Sequence, residues 1–502
     1  MLCHAHRMSW AYGDVMDALD AFDVAGPSAR PCWIAGRAEE SPDTLTVRHP
    51  YDGSEIASVC VPSPDQVERA VASAWSVSRS FRSSPAHVRA AALDHVSRAL
   101  DARADEVAEL ITAENGKPLK WSAVEVRRAV STFRFAAEEA RRFTGSVQRL
   151  DTEPGSEGRL ALVRRVSRGP VLGISPFNFP LNLVAHKVAP ALAVGSPIVV
   201  KPAPRTPLSA LLLGELLAET ALPPGAFSVL PVGNAETQAL ARDPRLPVVS
   251  FTGSGPVGWS IADAAPRKQV VLELGGNGAA VVCADWPDLA GAASRIATFG
   301  NYQAGQSCIA VQRVLVERAV YDAFLPLLLS AVSALATGNP HDPAVDVGPL
   351  VDEASAIRVE EWITEAVSRG ASLLLGGRRD GSTISPTVLS DVPPDTRVWS
   401  EEVFGPVLAV SPVDDLPSAL AAVNDSAYGL QAGLFTRDLT AAFHAHSELD
   451  VGGLIIGDVP SYRADQMPYG GVKASGLGRE GLLSAMTDLT EDRTLVLTGA
   501  RL

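Results

Sequence analysis

The chain has 502 residues, of which 46% are hydrophobic, 20% charged and 6% aromatic, enough for roughly three structural units and a large core. That composition excludes wholesale disorder, a collagen and a disulfide scaffold. With 43 basic against 57 acidic residues the formal charge is −14, and no long basic run supplies the field that nucleic acid or an anionic membrane needs. Small molecules and other protein subunits are the expected partners.

From Met1 to Asp14 histidines, Arg7 and acids mix without an apolar core or a small-residue cleavage site, so no secretory signal is expected, and Met8 offers a second start. Ser63-Pro64-Asp65-Gln66 reads as an N-cap, a first-turn proline and a Gln at the capping-box position, with apolar residues at helical spacing behind it. Helices over 86–113, closed by Asn115-Gly116, and over 124–143 make the first quarter mostly helical. From Gly145 the pattern turns to strand, and 146–150 and 160–166 flank a Pro154-Gly155 turn as a hairpin. Strands at 171–174, 198–201, 227–230, 248–252 and 270–274 then alternate with helices starting near Asn182, Pro207, Ala235 and Gly255. A second series runs from Ala279 to about Ile456, with strands at 278–282, 312–316, 372–375 and 407–411. This alternation predicts right-handed βαβ units, hence an α/β fold of two doubly wound lobes with a cleft between them. The apolar run 323–336 is broken by Pro326 and two serines and is too short to span a membrane. Five cysteines (Cys3, Cys32, Cys60, Cys283, Cys308) without CxxC spacing read as free thiols of a reducing compartment, the cytoplasm, with no structural metal.

Four segments offer chemistry. Gly253-Ser254-Gly255-Pro256-Val257-Gly258 is a literal G-x-G-x-x-G after an apolar strand, and Glu273 stands where a dinucleotide fingerprint has its ribose acid. The same glycines also read as a tight turn opening a helix, whose free N–H groups suit an anion. Cys308 follows the polar, glycine-containing run Asn301 to Ser307, the approachable setting a thiolate nucleophile needs, whereas Cys60 and Cys283 sit in apolar strand runs. Glu273 ends a strand against Gly275-Gly276, either as a partnered structural charge or as a base with a raised pKa. Asn178, between Phe177 and Phe179 and two prolines, reads as a turn residue or as a rigid amide for an oxyanion hole.

Together with Lys201-Pro202, Glu402-Val403-Phe404-Gly405-Pro406 and the run Pro468 to Gly476, these segments resemble, in order and from about Pro50 to Leu497, the aldehyde dehydrogenase superfamily. The resemblance implies a hydrolytic, NAD(P)-dependent enzyme with two Rossmann-like lobes and a small β oligomerisation arm. Residues 30–144 and 167–274 would form the cofactor-binding domain, 275–480 the catalytic domain, and 145–166 with 481–502 the arm of a homodimer or homotetramer, its tail joining a neighbour's sheet. It makes Cys308 the nucleophile, Glu273 the base for deacylation rather than a ribose ligand, and Asn178 the oxyanion donor alongside the Cys308 backbone N–H. Lys201 would bind the adenosine ribose, Ser254 the pyrophosphate, Glu402 the nicotinamide ribose, and Phe404 would pack near the nicotinamide. Ser175, Pro176, Phe177, Ala203, Pro204, Gly233, Phe251, Thr252, Gly253 and Leu274 complete the implied cofactor site, and Phe179 and Ser307 the substrate site. Two departures stand out. Pro204 occupies a position where the family often has an acid that disfavours a 2′-phosphate, and Arg205 follows it, so NAD is expected with NADP accepted. Arg463 lies in a loop that borders the family's substrate tunnel, and reads as a partner for an anionic aldehyde (a semialdehyde, a phosphono-, phospho- or sulfo-aldehyde, or a lactaldehyde-like one) or as a solvated surface charge; Arg134 is a second candidate. Other members of the superfamily resolve the thioester with coenzyme A or serve as non-catalytic binding proteins. The retained Glu273, Asn178 and Cys308 favour hydrolysis.

Overall fold

The computed structural model describes residues 29–499, so Cys3, Met8 and the reading of Met1 to Asp14 lie outside the described residues. Four short strands come first, Cys32–Ile34, Arg37–Glu39, Thr44–Arg48 and Glu55–Cys60, where the spacing predicts mostly helix. Runs of this length carry too few alternations for a period of two to stand out. Helix Pro64–Phe81 begins on the expected capping box: Ser63 Oγ accepts from the Gln66 N–H at 3.3 Å, and Gln66 Oε1 accepts from the Ser63 N–H at 2.8 Å. The helix predicted over 86–113 is two, Ala86–Ala102 and Ala104–Asn115, broken at Arg103, whose guanidinium bridges Glu106 and Glu215. The next helix, Leu119–Arg142, starts earlier than its apolar spacing suggests because the Pro118 carbonyl accepts from the Trp121 and Ser122 N–H groups.

Two large sheets follow. In the first, parallel strands Phe227–Val229, Ile198–Lys201, Val171–Ile174, Val248–Thr252 and Gln269–Glu273 lie side by side in that order, extended by Cys32–Ile34 and Arg37–Glu39 at one edge and Gly476–Leu477 at the other. In the second the order is Ser372–Leu375, Thr387–Ser390, Val407–Val413, Val311–Glu317, Gly278–Val282, Gln431–Phe435, Gly453–Ile456, all parallel except the first. Their central strands are buried on both faces, which is why they read as unbroken apolar runs.

The joint between the sheets fixes the site. Only Leu274 to Asn277 separate the last parallel strand of the first sheet from strand Gly278–Val282, so the C-terminal ends of one sheet face the N-terminal ends of the other. Asn178, Lys201, Gly253-Ser254 and Glu273 all follow or end strands of the first sheet around the point where strand order reverses, between Val171–Ile174 and Val248–Thr252. Cys308 and Glu402 precede strands Val311–Glu317 and Val407–Val413 of the second.

The hairpin Ser146–Arg149 and Arg159–Ser167 forms, and the C-terminal strand Thr490–Thr498 pairs antiparallel with Arg159–Ser167 of its own chain. The tail thus pairs along one edge with its own chain and leaves its other edge open. On that strand Leu495, Val496 and Leu497 remain 41–55% exposed, with Val147 at 66% across the small sheet.

Candidate active site

Cys308 stands on a bent loop. Gln303 and Ala304 both take left-handed backbone (φ 54°) ahead of Gly305 (φ 70°), a conformation that costs roughly 1 kcal/mol or more for each non-glycine residue. A Cβ at Gly305 would sit 2.1 Å from the Gly405 carbonyl oxygen, so glycine is required there. The bend is held by Gln306, whose Oε1 accepts from the Val351 N–H at 2.9 Å, and by Tyr302, whose hydroxyl donates to Ser307 Oγ at 2.7 Å. The Asn178 amide nitrogen donates to the Gln306 carbonyl at 2.9 Å, and Gln303 Nε2 donates to the Asn178 carbonyl, so the asparagine is clamped to the cysteine loop from both ends. One amide N–H remains for a further acceptor. The Cys308 backbone N–H has no hydrogen-bond partner among the described residues. A Cβ at Gly276 would lie 2.2 Å from the Cys308 carbonyl oxygen, so the Gly275-Gly276 turn is what lets the two sheets close on the thiol.

Burial pushes the Cys308 thiol up to about 12; Glu402 and Glu273 add to that, while the Tyr469 hydroxyl, 3.1 Å from Sγ, and the Arg463 guanidinium oppose it. Glu273 is 3% exposed, and neither carboxylate oxygen has a partner among the described residues. Burial, and then the charge of Glu480, hold it well above the usual carboxylate range, which favours its protonated form. Burial would raise Glu480 too, but two cations override it: Lys187 Nζ is 3.2 Å from Oε1 and Arg463 is 3.0 Å from Oε2. Two neighbouring carboxyls are thereby driven apart, one neutral and one ionised, the pattern that marks acid–base assignments. Lys187 also donates to Thr252 Oγ1 at 2.7 Å and Ser250 Oγ at 3.2 Å. It sits on helix Asn182–Ala193, whose first N–H groups are capped by Glu125.

The guanidinium of Arg463 is 5% exposed, lies 3.8 Å over the Tyr469 ring centroid, and leaves Nε without a partner. The solvated-charge reading of Arg463 is therefore excluded. Arg134 is not brought to the site: it is half-exposed and paired with Glu138 at 2.9 Å. On the same helix Arg128, roughly 240° round from it at 3.6 residues per turn, reaches the Phe179 ring (6.0 Å to the centroid) and Asp465 (2.8 Å). Ser307 is buried in the loop, and Phe179 also takes Lys117 Nζ over its ring at 4.2 Å.

The remaining residues of the implied cofactor site stand at strand and helix ends of the two sheets. Lys201, at the end of its strand, is drawn down to about 8 by burial and has no acidic partner among the described residues, so its ammonium calls for a ligand rich in oxygen. Ser254 N-caps helix Gly255–Ala264 without a side-chain cap bond, a Cβ at Gly255 would meet open space, and Ser254 is exposed, leaving the helix N-terminus open to phosphate. Glu402 Oε1 accepts from the Gly276 N–H at 3.0 Å, and burial lifts its carboxyl to about 7. Phe404, in left-handed backbone (φ 49°), meets the Phe177 ring edge-on at 5.9 Å between centroids. Ser175 is buried with an unpartnered hydroxyl, Pro176 follows it, Ala203 is buried, Pro204 is exposed, and Gly233 N-caps helix Asn234–Arg242. Phe251 and Leu274 pack beneath Gly253 and Gly258, supporting the turn. The Thr252 hydroxyl faces inward to Lys187. Arg205 is tied to Asp352 at 2.5 Å, which removes it as a free charge.

Tyr469, Glu480, Lys187 and Arg128 are missing from the site as read from sequence. The signal for Lys187 was present: with His186, it interrupts the otherwise apolar run Leu183 to Ala193. Among the described residues no group of three or more His, Cys, Asp or Glu side chains could hold a metal, and no helix is long and apolar enough to cross a membrane.

Similarity to known proteins agrees with this geometry. The profile of the aldehyde dehydrogenase family matches residues 37–495. The chain is 43% identical over 466 residues to the 3-sulfolactaldehyde dehydrogenase of Priestia aryabhattai, covering 93% of this chain and 97% of that one. Its fold is similar, at a TM-score of 0.93 and 41% identity, to aldehyde dehydrogenase 21 from Physcomitrella patens in complex with the reaction product succinate, covering 95% of this chain and 99% of that one. The NADP-dependent glyceraldehyde-3-phosphate dehydrogenase from Bacillus halodurans C-125, complexed with NADP, matches at a TM-score of 0.90 and 36% identity, over 94% and 99% of the two chains. On the family profile, the long-range identity and the shared fold, the chain belongs to the aldehyde dehydrogenase family.

Proposed function

We propose that the protein oxidises a small anionic aldehyde to its carboxylic acid through a thioester on Cys308, with NAD as cofactor and NADP accepted. The observation that carries the substrate class is Arg463: a buried guanidinium beside the thiol, with one hydrogen bond spent on Glu480 and Nε still free. The 3-sulfolactaldehyde, succinate and glyceraldehyde-3-phosphate named for the similar proteins all carry an anionic tail.

Cys308 Sγ adds to the aldehyde carbon, and the oxyanion that forms takes hydrogen bonds from the free Asn178 N–H and the Cys308 backbone N–H. Bound between Lys201, Ser254 and Glu402, the nicotinamide supplies the acceptor for the hydride that leaves the thiohemiacetal. Glu273, once ionised, takes a proton from the water that attacks the thioester, and the acid departs. Glu480, held ionised by Lys187 and Arg463, favours the protonated form of Glu273 until the water step draws on it. Hydrolysis is preferred over transfer to coenzyme A because Glu273 stands unpartnered at the thiol loop, as a water-activating base must. Residues 30–144 and 167–274 act as the cofactor domain and 275–480 as the catalytic one, in a cytoplasmic enzyme.

An aldehyde panel matched in length, run with both nicotinamides, tests the reading. An anionic aldehyde should exceed its neutral analogue about ten- to a hundredfold in kcat/KM, the value of one charge-assisted hydrogen bond in a partly dry site. Arg463→Ala should erase that advantage. Equal loss on both aldehydes would make Arg463 a support for Glu480 and Tyr469 and remove the anionic preference from the account.

The small sheet carries the assembly proposal. Its outer strands, Ser146–Arg149 and Thr490–Thr498, present exposed edges with apolar side chains, which pair readily with another chain. A homodimer or homotetramer built on this arm should drop in mass by light scattering when the chain is cut after Thr490; an unchanged mass would contradict the assignment.

A further inference from the structure

The residue against the reactive sulfur is a tyrosine, and nothing in the reaction as derived above gives its hydroxyl a task. Tyr469 is 4% exposed and sits in the tight run Pro468 to Gly471, where its own N–H and carbonyl pair with Glu480. Its ring packs in one apolar cluster with Ile309, Leu430 and Cys308. That packing alone would be served by phenylalanine. The hydroxyl lies 3.1 Å from Cys308 Sγ, and the Arg463 guanidinium is stacked on the ring face at 3.8 Å.

Resting on the assignment of Cys308 as the nucleophile, the geometry points to Tyr469 as a further catalytic residue, whose O–H donates to the Cys308 thiolate while Arg463 on its ring makes it a stronger donor. Burial and the neighbouring Cys308 keep the phenol protonated, so it can only donate once the sulfur has lost its proton. A cation over the ring face withdraws electron density from it, which strengthens the donor and holds the ring so that the hydroxyl stays on the sulfur. The other charges that face the thiol are Glu273 and Glu402, and both disfavour the thiolate. Tyr302 faces it as well and is itself protonated. Tyr469 and Arg463 are thus the two groups on this thiol that favour its ionised form. When the sulfur adds to the aldehyde carbon it loses its charge and most of its capacity as an acceptor, and the O–H is released to an oxygen of the bound substrate. No atom is transferred in this step; one hydrogen bond changes its acceptor.

Tyr469→Phe removes one oxygen and keeps the packed ring. Without its donor the thiol pKa rises by about one unit, the worth of a hydrogen bond to a charged group. Thiolate fraction then falls about tenfold while each thiolate becomes about threefold more reactive, a net loss of about threefold. Iodoacetamide labelling of the Cys308 peptide, followed by mass spectrometry between about pH 7 and 9, should therefore run about threefold slower in the variant at every pH, with cofactor affinity retained. An unchanged labelling rate overturns the assignment, and so does a slower rate accompanied by loss of cofactor affinity, which would report a disturbed loop. Cys308→Ala, run in parallel, separates the two readings: if it keeps aldehyde turnover, the nucleophile assignment itself fails and the role of the hydroxyl fails with it.

Discussion

Cys308→Ala loses aldehyde oxidation by about 10⁴-fold or more, the scale on which removing a nucleophile acts, and still binds the nicotinamide cofactor. Both halves of this result follow from where the groups sit. Sγ is the group that must form the covalent bond, and the other free cysteines among the described residues, Cys32, Cys60 and Cys283, are buried. Lys201 ends a strand of the first sheet, Ser254 caps a helix and Glu402 is held by the Gly276 N–H, so none of them depends on the thiol for its place and their geometry survives the substitution. Stopped-flow absorbance at the reduced-nicotinamide band, with fluorescence titration of the cofactor, checks the two together. Substantial turnover in the variant would remove Cys308 from the centre of the chemistry.

Glu273→Gln leaves a first burst of reduced cofactor and slows the steady rate by about 10²- to 10⁴-fold, the usual contribution of a positioned general base. Acylation does not need the carboxylate; the water step does. The parent enzyme should also show a rate that climbs with pH above the usual carboxylate range. Burial and Glu480 raise the Glu273 pKa, so the group is a protonated acid at low pH and becomes a base only as pH rises through that raised value. The glutamine variant should lose that limb. If it lost cofactor affinity with no deacylation defect, Glu273 would be the ribose acid that the glycine fingerprint suggests by its spacing.

How much of this was legible in the sequence depends on the range of the interaction. The Ser63 capping box, the parallel strands such as Val171–Ile174 and Ile198–Lys201, and the tail strand at Leu495 are written in neighbouring residues, and they appear where local pattern puts them. Short edge strands such as Cys32–Ile34 were not: this one pairs with Arg37–Glu39 in runs too short for a period of two to stand out, and joins the main sheet through Trp33 beside Val229 alone. The site divides the same way. Asn178, Glu273 and Cys308 each lie in a distinctive local run, whereas Glu480 acquires its role from Lys187, 3.2 Å away across almost three hundred residues of chain. Arg134 shows the cost of reading a helix as a line: Arg128 on the same helix carries the same charge, and it is the Arg128 side of the helix that faces Phe179. For Arg463 the sequence left a solvated and a buried reading open, and only the stacking on Tyr469 separates them.

The central claim is an acyl group on Cys308, and Glu273→Gln is the chain in which it should accumulate. After mixing with an anionic aldehyde and oxidised nicotinamide cofactor and quenching in acid, peptide mass spectrometry should find the Cys308 peptide heavier by the acid less water, in proportion to the reduced cofactor formed in the burst. Reduced cofactor without an acylated Cys308, or an acyl group on any other residue, would contradict the account.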